Sequence, residues 1–71
     1  MVRISSSKIK IIAEDIDGKI VGGIKYELDG PVKGIAAIFK HDSDDEELAG
    51  STIKKYIKSN YPVLRVYVEV I

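Results

Sequence analysis

The chain has no cysteine and no tryptophan, and only one histidine, one phenylalanine and two prolines in 71 residues. Without cysteine there are no disulfides, no thiolate metal clusters and no thiol nucleophile. One histidine excludes an all-imidazole metal site. Net charge is missing too: 11 basic residues balance 11 acidic ones. Residues 1–40 carry five acids and seven bases, and residues 41–71 carry six acids and four bases. Neither half has the dense positive field that grips a phosphate backbone. No apolar run approaches the ~20 residues that span a bilayer, and Met1–Ser7 lacks the apolar core of a signal peptide. These absences predict a cytoplasmic protein that binds neither nucleic acid nor membrane. Glutamine is absent and asparagine occurs once, which, beside abundant Ile, Lys and Glu, fits a heat-loving source.

At this length there is room for one domain, spanning 1–71. Residues 1–7 read as a loose polar leader or a short added edge, and residues 8–71 as the folded core. A chain this short buries only ~60% of its unfolded surface. With no covalent cross-link to help, tight packing, ion pairs or self-association must supply the stability.

What the chain does contain is alternation, punctuated by turns. Lys8-Ile9-Lys10-Ile11 alternates polar and apolar, which predicts a strand running to Glu14. Asp17-Gly18 reads as a turn. Ile20–Leu28 is expected as a second strand, with Ile20, Ile24, Tyr26 and Leu28 on one face and a bulge or bend at Gly22-Gly23. Asp29-Gly30-Pro31 is another turn. The run from Val32 to Lys40 is apolar on both faces and predicts a central strand. Ser43-Asp44-Asp45-Glu46 fits a capping box ahead of a helix over Leu48–Ser59, which would lay Leu48, Thr52, Ile53, Tyr56 and Ile57 on the sheet. Asn60 and Pro62 end it. Leu64, Val66, Val68 and Val70 then alternate with Arg65, Tyr67 and Glu69 in a last, half-buried or edge strand spanning Val63–Ile71.

The expected fold class is α+β: a β-β-β-α-β domain with a four-stranded mixed sheet in the order 1-2-3-4. Strands three and four would be parallel neighbours, because a helical crossover returns the chain to the same end of the sheet. One helix would cover one face. The other would expose Val21, Ala37, Phe39 and Tyr67, and so much bare apolar surface predicts a homodimer, face to face or through a sheet edge.

This element order, with Asp17-Gly18-Lys19-Ile20-Val21-Gly22-Gly23-Ile24, resembles the core of the GCN5-related N-acetyltransferase superfamily. The resemblance covers roughly residues 8–71. It implies that Gly34–Phe39, the helix and the last strand would hold acetyl-coenzyme A, with Ile38, Phe39, Leu48, Ala49, Gly50 and Ser51 as the cofactor-binding positions. The family's diphosphate loop reads Arg/Gln-x-x-Gly-x-Gly/Ala, which places Asp45 at the basic position, Leu48 at the first glycine and Gly50 at the second. Asp42, Asp44, Asp45, Glu46 and Glu47 crowd the place of the diphosphate. Like charges ~4 Å apart repel by ~1 kcal/mol per pair even when solvated, against ~0.3–1 kcal/mol gained per charge at a helix start. The resemblance so read implies an acetyltransferase-like scaffold without cofactor, acting as a small binding or dimerisation module. A reduced, active N-acetyltransferase using acetyl-coenzyme A is the alternative. A third reading is a protein-binding module resembling the ribonuclease H-like antitoxin domains.

Other candidate residues carry less. Asp42-x-Asp44-x-Glu46 begins like a calcium loop but has Glu47 and Ile53 where that loop needs glycine and glutamate, so it reads as a solvated helix cap. His41 lacks a nucleophile to serve. Glu69 and Tyr67 sit where a general base could lie, yet Glu69 reads as a charge that discourages strand addition. Tyr26, Tyr56, Tyr61 and Tyr67 could stack on bases, but no basic surface surrounds them. No catalytic residue and no metal ligand is assigned from the sequence.

Overall fold

The computed structural model describes every residue from Met1 to Ile71. In chain order the elements are β1 (Val2–Ser5), α1 (Ile9–Ile16), β2 (Ile20–Val21), β3 (Ile24–Leu28), β4 (Ala36–His41), α2 (Glu46–Asn60) and β5 (Tyr67–Val70). The strands form one five-stranded sheet in the order β2-β3-β4-β1-β5. Every neighbouring pair is antiparallel. Both helices pack on the same face. Ile9, Ile12, Ala13 and Ile16 of α1 and Ala49, Ile53 and Ile57 of α2 close over Val2, Ile4, Ile24, Tyr26, Ala37 and Phe39 from the strands.

The expected four-stranded mixed sheet is therefore corrected in both count and order. Two features of the sequence account for the difference. The first is Met1–Ser7, expected as a leader or a short added edge and found as an interior strand. Val2 and Ile4 are fully buried, and their strand takes an interior place in the sheet. It pairs with β4 through Val2–Phe39 and Ile4–Ala37 and with β5 through Val2–Val70 and Ile4–Val68. β4 and β5 do run in the same direction, as a helical crossover requires, but β1 is inserted between them. The second is Lys8–Glu14, expected as a strand and found as helix α1. Four alternating residues are too few to separate the two periods. The longer spacing Ile9, Ile12, Ala13, Ile16 is helical and is the set that is buried, while Ile11 is 56% exposed.

Smaller corrections follow the same physics. Ile20–Leu28 is two strands, because Gly22 and Gly23 take φ of +58° and +81° and turn the chain in a two-residue hairpin. The turn puts Val21 opposite Ile24 on the core side and Ile20 opposite Lys25 on the open side. The strand predicted from Val32 begins only at Ala36, since Lys33 and Ala36 exchange backbone hydrogen bonds around Gly34 in a tight turn. Ala37 and Phe39, expected on a bare face, lie under the helices. The uncovered face instead carries Arg3, Lys25, Glu27, Lys40 and Glu69, with Ile38 and Tyr67. That removes the exposed apolar face as a ground for pairing of copies.

Gly22 does more than turn the chain. A Cβ built there would lie 2.8 Å from Thr52 Cγ2 on α2, whereas one at Gly23 would meet nothing within 4 Å. Gly22→Ala should therefore destabilise by about 2 kcal/mol and Gly23→Ala by about 1, the latter reporting the positive φ alone. Thr52→Ser removes the clashing methyl. Chemical denaturation of the Gly22→Ala/Thr52→Ser double variant should bring Gly22→Ala close to the Gly23 value, and failure to do so would place the strain elsewhere.

Candidate functional site

The residues implicated by the acetyltransferase resemblance do not form a cradle. Ile38 and Phe39 are consecutive on β4 and so point to opposite faces; Phe39 is fully buried in the core. The capping residue of α2 is Asp45, not Ser43. Its carboxylate accepts from the Leu48 N–H at 3.1 Å, and its carbonyl accepts from the Ala49 N–H at 3.0 Å. The Leu48 and Ala49 amides, which the resemblance would turn to a diphosphate, are thus already taken by Asp45. Ala49 O accepts a 2.6 Å bond from the Tyr26 hydroxyl, and burial pushes that phenol up to about 12. Ser51 Oγ donates back to Leu48 O. Gly50 is buried where a Cβ would come 3.2 Å from Val70 Cγ2, so it lets α2 settle onto β5. The splayed gap between parallel strands that acetyl-coenzyme A would need is occupied by β1, paired on both sides.

Two polar clusters remain as chemical candidates. At the end of β4, His41 Nδ1 accepts from the Ser43 N–H at 3.2 Å, and Nε2 stands 2.9 Å from Glu46 Oε2. The first contact places the neutral ring's proton on Nε2, which donates to the carboxylate. Both nitrogens are used, and the side chain is 2% exposed. No ring atom is left to exchange a proton with a bound molecule.

The second cluster ties α1 to α2. Asp15 Oδ1 accepts from Lys19 Nζ at 2.7 Å, and Oδ2 accepts from the Tyr56 and Tyr61 hydroxyls at 2.9 Å each. Lys19 also donates to Tyr56 Oη at 2.8 Å. The Lys19 ammonium, ahead of the two phenols, holds the Asp15 carboxyl below its ordinary range despite partial burial. Asp15 in turn raises Lys19. Burial, then the Asp15 carboxylate, raises Tyr61. Asp15 and Lys19 are held in their charged forms and Tyr61 as a neutral phenol, so none is moved toward the neutral pH range where general acid–base or nucleophilic work is done. The cluster is a clamp. Tyr56 and Tyr61 were considered from the sequence only for stacking on bases, and Asp15 was given no role; the four-residue spacing of Asp15 and Lys19 would have flagged a pair had residues 9–16 been read as helix.

A different feature stands out at the rim of the sheet. Of the two edges, β2 has two residues and ends in the glycine hairpin. β5 has four, with no proline, bulge or lysine in it, so it lacks the usual defences against strand addition. Ile71 N–H donates to Met1 O at 3.0 Å. Since bonded and unbonded pairs alternate along an antiparallel ladder, Glu69 and Tyr67 turn their backbone groups toward β1. Val68 and Val70 turn theirs outward. The outward N–H and C=O groups border a shallow groove formed by Glu47, Gly50, Ser51 and Lys54 of α2 with Val68 and Val70. Val70, which lines it, is exposed, and so is Tyr67 on the opposite face of the strand. Glu69, expected to discourage strand addition, is engaged on the open face in a two-pronged ion pair with Arg3, both contacts at 3.0 Å.

No three Asp, Glu or His side chains converge to hold a metal ion, and no helix is long and apolar enough to cross a membrane. No family model, curated protein or solved structure matches the chain.

Proposed function

We propose that this domain is a small binding module that captures an extended segment of protein along the β5 edge. The observation that carries this reading is the pair of outward-facing backbone groups at Val68 and Val70, open beside a shallow groove that these two valines share with Glu47 and Lys54 of α2. An added strand would satisfy those groups and lay alternate side chains between β5 and α2, the recognition mode known as β-augmentation. The side chains that could have supplied catalysis are bound to one another, so the chemistry available here is recognition.

Val68→Pro separates binding from folding. The Val68 N–H takes no part in the bond to β1, so proline there leaves the internal ladder intact, as edge positions allow. Titrating a short peptide of alternating Val and Thr into the labelled domain, diluted until sedimentation shows a monomer, should slow amide exchange at Val68 and Val70 at least tenfold. The folded Val68→Pro variant should show no such slowing at Val70. If no extended peptide protects these two amides, the reading is overturned.

A further inference from the structure

Resting on the strand-adding reading of β5, we infer that the segment captured is β5 of a second copy, in an antiparallel pairing with Val68 on the two-fold axis. Two parity conditions leave few registers. Only residues whose backbone groups face outward can form the bonded pairs, which restricts the partners to Val66, Val68 and Val70. With the axis at Glu69, two glutamates would sit directly opposite in the closely spaced, unbonded position, where like charges repel. With the axis at Tyr67, every bonded pair would be Val66 with Val68 and so would need a residue that precedes the strand, whereas an axis at Val68 keeps its central bonded pair, Val68 with Val68, within it. With the axis at Val68, Tyr67 of one copy faces Glu69 of the other. Arg3 keeps its grip on that glutamate from the far side.

The helices favour the same arrangement. Lys54, next to the middle of α2, lines the groove with Val68, so an axis at Val68 passes near the centre of α2. The two α2 helices then run antiparallel. The acidic first turn of each, Glu46 and Glu47, lies alongside the half of the other that bears Lys55 and Lys58. The two macrodipoles oppose head to tail as well. A chain with no net charge sets no long-range repulsion between copies. The result is a continuous ten-stranded sheet with all four helices on one side, and it closes after two copies because the interface is self-complementary.

The absence of cysteine makes the register directly readable. Unbonded antiparallel partners stand ~4.5 Å apart at Cα, within disulfide reach. Tyr67→Cys/Glu69→Cys, both exposed positions, should oxidise mainly to a covalent dimer with 67–69 linkages between chains. Tyr67→Cys alone and Glu69→Cys alone should not cross-link. Sedimentation equilibrium of the unmodified chain should give a dimer, weakened roughly 100-fold by Val68→Pro through loss of the paired backbone bonds. Rapid cross-linking of Glu69→Cys alone would overturn the register. A monomer at high micromolar concentration, with no cross-link in the double variant, would overturn the second copy as occupant. The binding-module reading would then stand or fall separately, on whether the Val-Thr peptide protects Val68 and Val70.

Discussion

Ile4→Ala should remove most of the stability of this domain. Ile4 has no exposed surface and sits on the innermost row of the sheet, between Ala37 on β4 and Val68 on β5. Truncating a buried isoleucine to alanine costs ~2–5 kcal/mol, and the upper half applies where packed strands on both sides prevent collapse of the cavity. Small domains hold ~0.05–0.15 kcal/mol per residue in all, so a loss of about 4 kcal/mol takes up much of the total. The melting temperature should fall by about 20 °C. Ile11→Ala, on the exposed side of α1, should stay within ~0.5 kcal/mol of the parent. Thermal melts of the two variants decide the matter. A mild Ile4→Ala would mean that residues 1–7 are a dispensable leader after all. An Ile11→Ala as costly as Ile4→Ala would mean that residues 8–14 form a half-buried strand.

Asp15→Ala should be the next most damaging change, and the damage should depend on pH. The carboxylate accepts three hydrogen bonds that join α1, the following turn and α2. Its removal leaves two partly buried phenols without their acceptor, for a loss of about 2 kcal/mol. The folded carboxyl titrates below its ordinary value of 3.8, chiefly through the bond from Lys19. Asp15 therefore stabilises fully above the ordinary carboxylate value, and its contribution fades as pH falls through the lower, folded value. Denaturant midpoints of parent and Asp15→Ala should differ most at neutral pH and converge as the solution is acidified below about pH 4. A gap that stayed constant down to pH 2 would show that the charge on Asp15 contributes nothing.

Most of the second half of the fold was legible in the sequence. The amphipathic stretch ending at Asn60 and Pro62 is α2. The alternation of Tyr67 and Glu69 with Val68 and Val70 is an edge strand, though shorter than the pattern suggested. These succeed because a long helical stripe and a long alternation each have a single interpretation. Residues 1–16 were not legible, for two physical reasons. Val2-Arg3-Ile4-Ser5 has only two apolar residues, too few to mark a strand, and its importance comes from partners dozens of residues away. Lys8-Ile9-Lys10-Ile11 satisfies both periods at once, and only Ala13 and Ile16 break the tie. Those two misreadings together produced a neighbouring parallel pair where the chain has an inserted antiparallel strand.

The site was legible only in part. Gly50 stood out as a glycine within a helix, and the structure places it against Val70. The acidic run before α2 read as an electrostatic guard over a cofactor loop. Three of its five members are engaged locally instead: Asp42 accepts from the Lys25 N–H at 2.9 Å, Asp45 caps the helix and Glu46 meets His41. The outward parity of Val68 and Val70 could not be read from the chain at all. It depends on which side of β5 is taken by β1, a fact of topology that leaves no mark on local composition.

The placement of β1 also sets when the fold can exist. Val2 leaves a ribosome well before Val70 does, yet the two are neighbours across the sheet. Until the closing strand has emerged, β1 has at most one partner and the apolar stripe of α2 has no complete floor. The nascent chain therefore has no finished half to build upon, and the architecture is assembled as a unit once synthesis has passed β5.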